Sequence, residues 1–546
     1  MKLNYDALRV GHIVRLLRGL RLNRMRRSRV VDNHSMKVNY DVLGDIMRFL
    51  RRQDLVNVMC TSRASYEVGL PVLLGQPIHL KTEESIQRFL EFILKDAPRY
   101  GPMLRDLTLD EMYMHCIADQ VDPQLAIVIE HTPYLRRFVF AGSCYAATTP
   151  LLVKMLLTRP SHELRQVALP SFEEYGQHSS EIPLYMGYLS SVSWPSLVHL
   201  RLGTYLTPYN NSAGWPDSLR QFSPTLETLE LSVASFPPTL ETPFNRLRTL
   251  RVYSILYLDE EGYFPTTRLV RLFPQLKNLY VTQIMAEIPS LTLEACRECN
   301  IQDAVTLIRD GVYWPHLVHV STAYDALCSM GLKCQVQQLD LSESYYDLMW
   351  KSESIVEAIR DLQPCALSFG LPLTHAACHK LSTLLVDSPQ LSHLEYELTL
   401  DHDDPKSSLK SLSWFLNKFL AIHHSSSCVL LRIFFSIRLR RMTTQVKQEL
   451  QAYVAEHFNM MQYATQFAIA CPSLRRIFIH WSDHIVPPVL LDVAHSSDGE
   501  KEFRIIRNDA YHKYGISKDF KFFQNEDLST NFLSSYPYES GFVFPL

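Results

Sequence analysis

The stretch Trp194–Leu202, WPSLVHLRL, decides how this chain of 546 residues is read. Leu197, Leu200 and Leu202 follow the spacing L-x-x-L-x-L, and Pro195 stands two residues before the first of them. Leu200 and Leu202 alternate with Arg201, the period of two that a strand with one buried face requires. The phrase returns along the chain. Copies are GPMLRDLTL at 101–109, TPYLRRFVF at 132–140, SHELRQVAL at 161–169, SPTLETLEL at 223–231 and FNRLRTLRV at 244–252. Further copies are FPQLKNLYV at 273–281, WPHLVHVST at 314–322, KCQVQQLDL at 333–341, SPQLSHLEY at 388–396 and CPSLRRIFI at 471–479. A weaker copy carries Leu430, Ile433 and Phe435, and the gap from 336 to 391 leaves room for another around Ala366–Phe369.

Proline marks the same place in eight of these twelve copies: Pro102, Pro133, Pro195, Pro224, Pro274, Pro315, Pro389 and Pro472. Thirty prolines in 546 residues would put fewer than one there by chance. Proline ends a helix and holds its neighbour extended, so each one announces a strand. Between the strands, Val121–His131, Leu151–Thr158, Ser352–Leu362 and Ser408–His424 carry apolar residues at three- and four-residue spacing, the signature of helices. One strand and one helix about every thirty residues, each unable to bury its own apolar strip alone, predict a leucine-rich-repeat solenoid. The expected fold is α/β: a small helical segment, then an irregular solenoid with its parallel sheet on the concave face and helices outside.

The copies depart from the common repeat. Tyr205, Ala234, Ile255 and Ile284 stand where Asn or Cys is expected three residues after the third apolar site. The side-chain ladder that satisfies turn backbone groups is therefore missing there, and the varied repeat lengths predict an irregular curvature.

Composition bounds the function. Hydrophobic residues are 47% and charged residues 20% of the chain, enough apolar surface for a core along most of its length. Residues 1–35 hold nine Lys/Arg against Asp6 and Asp32, leaving a mildly acidic remainder, so no nucleic acid is expected as a partner. Eleven cysteines, an odd number, read as reduced thiols, and the arginines at 9, 15, 18 and 21 interrupt any secretory leader. The longest uncharged run, Ile182–Leu200, holds Pro183 and Pro195 and is a poor membrane span. The expected setting is cytoplasmic or nuclear, with no membrane partner. No glycine-rich nucleotide loop, zincin helix or nucleophile elbow occurs, so no cofactor is expected. Cys296 and Cys299 form a lone CxxC. His375, Cys378 and His379 share a helical spacing, and Asp401, Asp403 and Asp404 precede Pro405; the two cysteine-containing groups read as structural and the aspartates as a solvated loop.

Ahead of the repeats, residues 36–74 read MKVNYDVLGDIMRFLRRQDLVNVMCTSRASYEVGLPVLL. Val42, Leu43, Ile46, Met47, Phe49 and Leu50 predict one helix, Arg51–Asp54 a break, and Leu55, Val58 and Met59 a second helix, with a third beginning near Thr61. This stretch resembles the F-box at Asp41, Val42–Leu43, Ile46, Phe49–Leu50, Asp54–Leu55, Cys60, Arg63 and Tyr66. The F-box opening Leu–Pro is replaced by Asn39–Tyr40, with Asn39 available as a helix cap. With the repeats, the resemblance to F-box/leucine-rich-repeat proteins, most like the fungal-type families, spans residues 36 to about 480. It implies a non-catalytic substrate receptor in a Skp–cullin–RING ubiquitin ligase, with the F-box docking the Skp adaptor and the repeats holding a target protein. The adaptor-facing residues it implies are Tyr40, Val42, Leu43, Ile46, Phe49, Leu50 and Leu55. A second reading stays open: a repeat-based interaction scaffold that recruits no ligase.

Strand alternation nominates the target-binding face. Asp106 and Thr108 come first, then His199, Arg201, Thr228, Glu230, Thr249, Arg251, Asn278 and Tyr280. His319, Ser321, Gln338, Asp340, His393 and Glu395 follow. The mixture of signs suits a protein or peptide ligand. The domain reading is 1–35 as a basic extension, 36–80 as the F-box, 81–485 as the solenoid and 486–546 as a cap and tail. MKLNYDAL at 1–8 nearly copies MKVNYDVL at 36–43, and in the tail only Phe503–Arg507 reads as a strand.

Overall fold

The computed structural model describes residues 40–109, 118–140, 143–144, 151–158, 161–172, 188–206, 219–234, 236, 242–256, 264–285, 293–341, 354–371, 375–400, 414–422, 427–437, 448, 452, 456, 459–481, 489–495 and 501–506. The basic extension, Asn39, Asp401, Asp403, Asp404 and the end of the tail lie outside them. The chain divides into two compact units between Leu197 and Val198.

The described part of the first unit begins with three helices, α1 (Tyr40–Arg48), α2 (Arg52–Met59) and α3 (Arg63–Gly75). The interruption after α1 falls at Phe49–Arg51, and Asp54 lies inside α2 rather than in the break. Strand β1 (Ile78–Leu80) leads to α4 (Glu83–Ile93), whose first turn is held by a reciprocal pair: Ser85 N–H donates to Thr82 Oγ1 at 3.2 Å and Thr82 N–H to Ser85 Oγ at 3.0 Å. Strand β2 (Asp106–Leu109), α5 (Ala118–Glu130), β3 (Arg137–Phe140), β4 (Ser143–Cys144), α6 (Leu151–Thr158) and β5 (Gln166–Phe172) follow. β1, β2, β3 and β5 run parallel in that order, and β4 lies parallel beside β5. Asp122 of α5 caps the next helix, accepting from Leu151 N–H at 2.6 Å and Leu152 N–H at 2.9 Å.

Among the described residues, the second unit carries ten parallel strands in sequence order: β6 (His199–Leu206), β7 (Thr228–Ala234), β8 (Thr249–Leu256), β9 (Asn278–Met285), β10 (His316–Thr322), β11 (Gln335–Leu341), β12 (Ala366–Leu371), β13 (His393–Leu400), β14 (Leu430–Ile437) and β15 (Arg476–Trp481). Helices α7 (Thr266–Leu272), α8 (Leu293–Arg309), α9 (Tyr324–Met330), α10 (Ser354–Leu362), α11 (His375–Asp387) and α12 (Met460–Ala470) stand between strands. Ala366–Phe369 is a strand, as the long interval predicts. The last described strands of the unit differ from its repeats: β16 (Val489–His495) and β17 (Lys501–Ile506) are antiparallel to their neighbours. The run around Phe503 is thus a strand, while Val489–His495 was not separated from the tail by periodicity because Leu490 and Leu491 are both buried and break the alternation.

The apolar phrase is the core in both units. Leu104, Leu107 and Leu109 are buried, as are Leu197, Leu200 and Leu202, then Leu229, Leu250, Leu279, Val320, Leu339, Leu394 and Ile477. Removing each such side chain from water contributes about 1.5–3 kcal/mol. Across repeats the core is tied by Trp314, whose buried Nε1–H donates to the Phe273 carbonyl at 2.8 Å. On the helical side, Asp361 accepts from Lys333 Nζ at 2.6 Å and pairs also with Arg297, linking α8, the start of β11 and α10.

One main-chain arrangement recurs where the strands begin: a single carbonyl accepts two consecutive N–H groups from the next repeat. Arg105 O takes Arg136 N–H (2.7 Å) and Arg137 N–H (3.1 Å), and Arg136 O takes Arg165 (2.8 Å) and Gln166 (3.1 Å). In the second unit Glu227 O takes Arg248 (2.8 Å) and Thr249 (3.0 Å), Arg248 O takes Lys277 (2.8 Å) and Asn278 (2.9 Å), and Ser392 O takes Val429 (2.8 Å) and Leu430 (3.1 Å). Backbone groups at the start of these strands are thereby satisfied by the main chain of the preceding repeat.

Two substitutions separate the roles of leucine and proline in the phrase. Leu250→Ala, at a fully buried site, is expected to cost about 2–5 kcal/mol. Pro274→Ala, which acts mainly through the freedom of the unfolded chain, is expected to cost less than about 1 kcal/mol. Urea unfolding followed by circular dichroism measures both, and equal losses would show that proline carries more than an extended backbone.

Candidate functional site

The helical segment closes a small core of its own. Met47, Leu50, Leu55, Val58, Met59, Leu70 and Leu74 are buried among α1, α2 and α3. The helices approach closely at Gly69, where an added Cβ would lie 2.4 Å from Met59 Cγ and 3.2 Å from Met47 Sδ. Ser62 caps α3, its Oγ accepting from Ser65 N–H at 3.0 Å.

The adaptor-facing candidates divide into two groups on this scaffold. Tyr40 is 60% exposed, Val42 51% and Phe49 80%, and Leu43 and Ile46 are half-buried. Leu50, at 4%, and Leu55, at 0%, are core. Both are corrected from surface to interior: Phe49 ends the turn after α1 facing out, so Leu50 faces in, and Leu55 occupies the inner side of α2. Val56 and Tyr66 are exposed as well, and sequence reasoning did not nominate them for contact. In the preceding turn their neighbours are polar, Arg52 and Gln53 for Val56 and Ser62 and Arg63 for Tyr66, so no apolar stripe leads up to them.

The sheet face opposite the buried leucines collects the other candidates. In the second unit, strand register lines them up in two rows. The first row runs His199, Thr228, Thr249, Asn278, His319, Gln338, Ala366 and His393. The second runs Arg201, Glu230, Arg251, Tyr280, Ser321, Asp340, Ser368 and Glu395. Residues nominated from copies scattered over nearly 200 positions thus become lateral neighbours, one strand spacing apart.

Within the rows a polar chain crosses five strands. Arg251 Nε lies 3.7 Å from Glu230 Oε1, and its guanidinium sits 4.2 Å from the centre of the Tyr280 ring. Tyr280 Oη and His319 Nδ1 share a hydrogen bond of 3.0 Å. His319 Nε2 meets Asp340 Oδ2 at 2.5 Å, and Gln338 Nε2 donates to the same oxygen at 3.1 Å. Asn278 Nδ2 donates to Thr249 Oγ1 at 3.1 Å in the row beside it. His319, 6% exposed, and Gln338, 8%, were expected on an open face and are instead buried, because Tyr280 and Asp340 close over them. In the first unit Thr108 is buried for a similar reason, and Asp106 pairs with Arg137 at 3.2 Å. Arg137, which also donates to Gln166 at 3.1 Å, was not nominated, although it occupies the same place in its copy as Asp106 does in the preceding one.

Burial holds the His393 imidazole below its ordinary value. It does the same for His199, opposed by the carboxylates of Glu227 and Glu230. The cysteine pair 296 and 299 points apart, Cys296 buried and Cys299 exposed. Burial raises the Cys328 and Cys334 thiols to about 12 and Cys378 to about 11, which keeps them protonated and poorly nucleophilic at neutral pH. Among the described residues no cluster of three His, Cys, Asp or Glu could hold a metal ion, and no helix is long and apolar enough to cross a membrane.

Because the folded state disfavours protonated His393, the unfolded chain takes up its proton first as pH falls through about 6.5. The contribution of this residue to stability is therefore present above that pH and lost below it. Melting temperatures at pH 7.5 and 5.5 are expected to fall on acidification, and to fall less in His393→Gln. An equal drop in both proteins would place the acid sensitivity elsewhere.

Compared with protein-family models and with curated proteins, the chain matches none.

Proposed function

We propose that the chain is a non-catalytic substrate receptor, whose helical segment docks a Skp-type adaptor of a cullin–RING ubiquitin ligase and whose sheet face holds a target protein. The observation that carries this reading is the set of large apolar side chains left outside a complete core: Tyr40, Val42 and Phe49, with Val56 and Tyr66 on the same small helical segment. Covering Phe49 alone would contribute on the order of 1.5–3 kcal/mol. A rim of exposed charge at Arg48, Arg52 and Arg63 suits a surface that a partner covers. The resemblance of residues 41–66 to the F-box pattern is the reason for naming a Skp-type adaptor as that partner, and the phrase repeats offer a face of mixed charge for the target. Since Arg251, Tyr280, His319 and Asp340 already hold one another, such a face would bind with little side-chain ordering, which favours a shaped protein surface over a flexible polyanion.

Co-expression of the full chain with the Skp adaptor, followed by gel filtration, tests this. A one-to-one complex is expected, lost in Val42→Asp and in Phe49→Asp while both keep the wild-type circular dichroism spectrum. Leu50 and Leu55 are unsuitable controls, because an aspartate at either would disrupt the core. A folded wild-type chain that elutes alone would end the ligase reading and leave an interaction scaffold.

A further inference from the structure

A cavity of about 470 Å³ opens where β7, β8 and β9 begin, lined by Glu227, Asn245, Arg246, Arg248 and Gln275. Every one of these side chains is polar. Glu227 and Arg248 belong to the line of carbonyl groups that accept paired N–H donors, so their backbone is fixed by neighbouring repeats. Asn245 and Arg246 form the turn before β8, and Gln275 the corresponding turn before β9. Asn245 also stands where eight copies of the phrase carry proline, so this turn presents an amide in place of an apolar ring. Among the described residues, no ion pair or hydrogen bond engages the guanidinium of Arg246 or of Arg248.

We infer that this cavity is a binding site for a carboxylate group with an N–H donor beside it, as at the C-terminus of a peptide. Two arginines are permanently charged and set against the single carboxylate of Glu227, so the lining has one positive charge in excess. A monoanion balances that excess, whereas a phosphate dianion would overshoot it and face Glu227 directly. The planar fork of a guanidinium matches the two oxygens of a carboxylate. Glu227, acceptor only, suits the adjacent N–H, and the amides of Asn245 and Gln275 can serve either side. The site is independent of adaptor docking, since it uses no residue of the helical segment.

Phenylglyoxal modification of the full chain, read by mass spectrometry, tests the assignment. Arg309, exposed on α8, is the internal reference. N-acetyl-trialanine is expected to slow modification of Arg246 and Arg248 at least threefold relative to Arg309, while its C-terminal amide has no such effect. Inorganic phosphate should protect less than the peptide acid in wild type and at least as well in Glu227→Gln, where the opposing charge is gone. Equal protection by acid and amide, none by either, or phosphate protecting better in wild type would overturn the assignment. Protection by free alanine equal to that by the peptide acid would overturn the peptide terminus and leave an amino acid as ligand.

Discussion

The placement of nearly every other side chain in the repeats depends on one main-chain contact, the carbonyl that accepts two successive N–H groups from the next repeat. It fixes where each strand starts relative to its neighbour, and a strand shifted by one residue would turn all its side chains to the opposite face. With Glu227 O holding Arg248 and Thr249, and Arg248 O holding Lys277 and Asn278, the buried residues Leu229, Leu250 and Leu279 are brought level. Core and surface are therefore set by the same bonds. At the other end of these strands Tyr205, Ala234, Ile255 and Ile284 stand within β6, β7, β8 and β9 and pair in register with neighbouring strands, so the ladder itself runs through the positions where an asparagine was expected.

Register also decides which polar residues meet. Arg251, Tyr280, His319 and Asp340 come from four copies of the phrase and touch only because their strands align. Each is partnered within the fold itself, and a pre-paired face is stiff. Stiffness lowers the ordering cost of binding and raises the cost of a poor fit, since a mismatched ligand would leave His319 or Asp340 buried without its partner. Near the middle of the row the face is thus a shaped wall more than a set of reaching groups. His199 and Thr228 at one end and His393 and Glu395 at the other are less enclosed.

The sequence made the alternation legible and left the closure illegible. Which residues point away from the leucines follows from parity alone, so all the nominated face residues of the second unit appear in the two rows. Whether such a residue remains open depends on the bulk of its lateral neighbours, which stand about twenty to forty residues away in the chain. His319 disappears beneath Tyr280 and Asp340, and nothing within its own copy, WPHLVHVST, signals that. The antiparallel ending was hidden for a related reason: Val489–His495 buries consecutive residues, and parity has nothing to report where both faces are covered.

The helical segment shows the same limit at higher stakes. Phe49 and Leu50 are adjacent and equally apolar, yet one is 80% exposed and the other 4%. Helical periodicity places both near one stripe, because it assumes α1 continues through them. The helix ends at Arg48, and the turn after it rotates Phe49 outward and Leu50 inward. A stripe broader than the core it serves therefore resolves into an inner set that folds the segment and an outer set that the fold does not use. Large apolar side chains held in water gain nothing for the isolated chain. Their presence on a segment whose core closes without them is the physical reason for reading this surface as built for a partner.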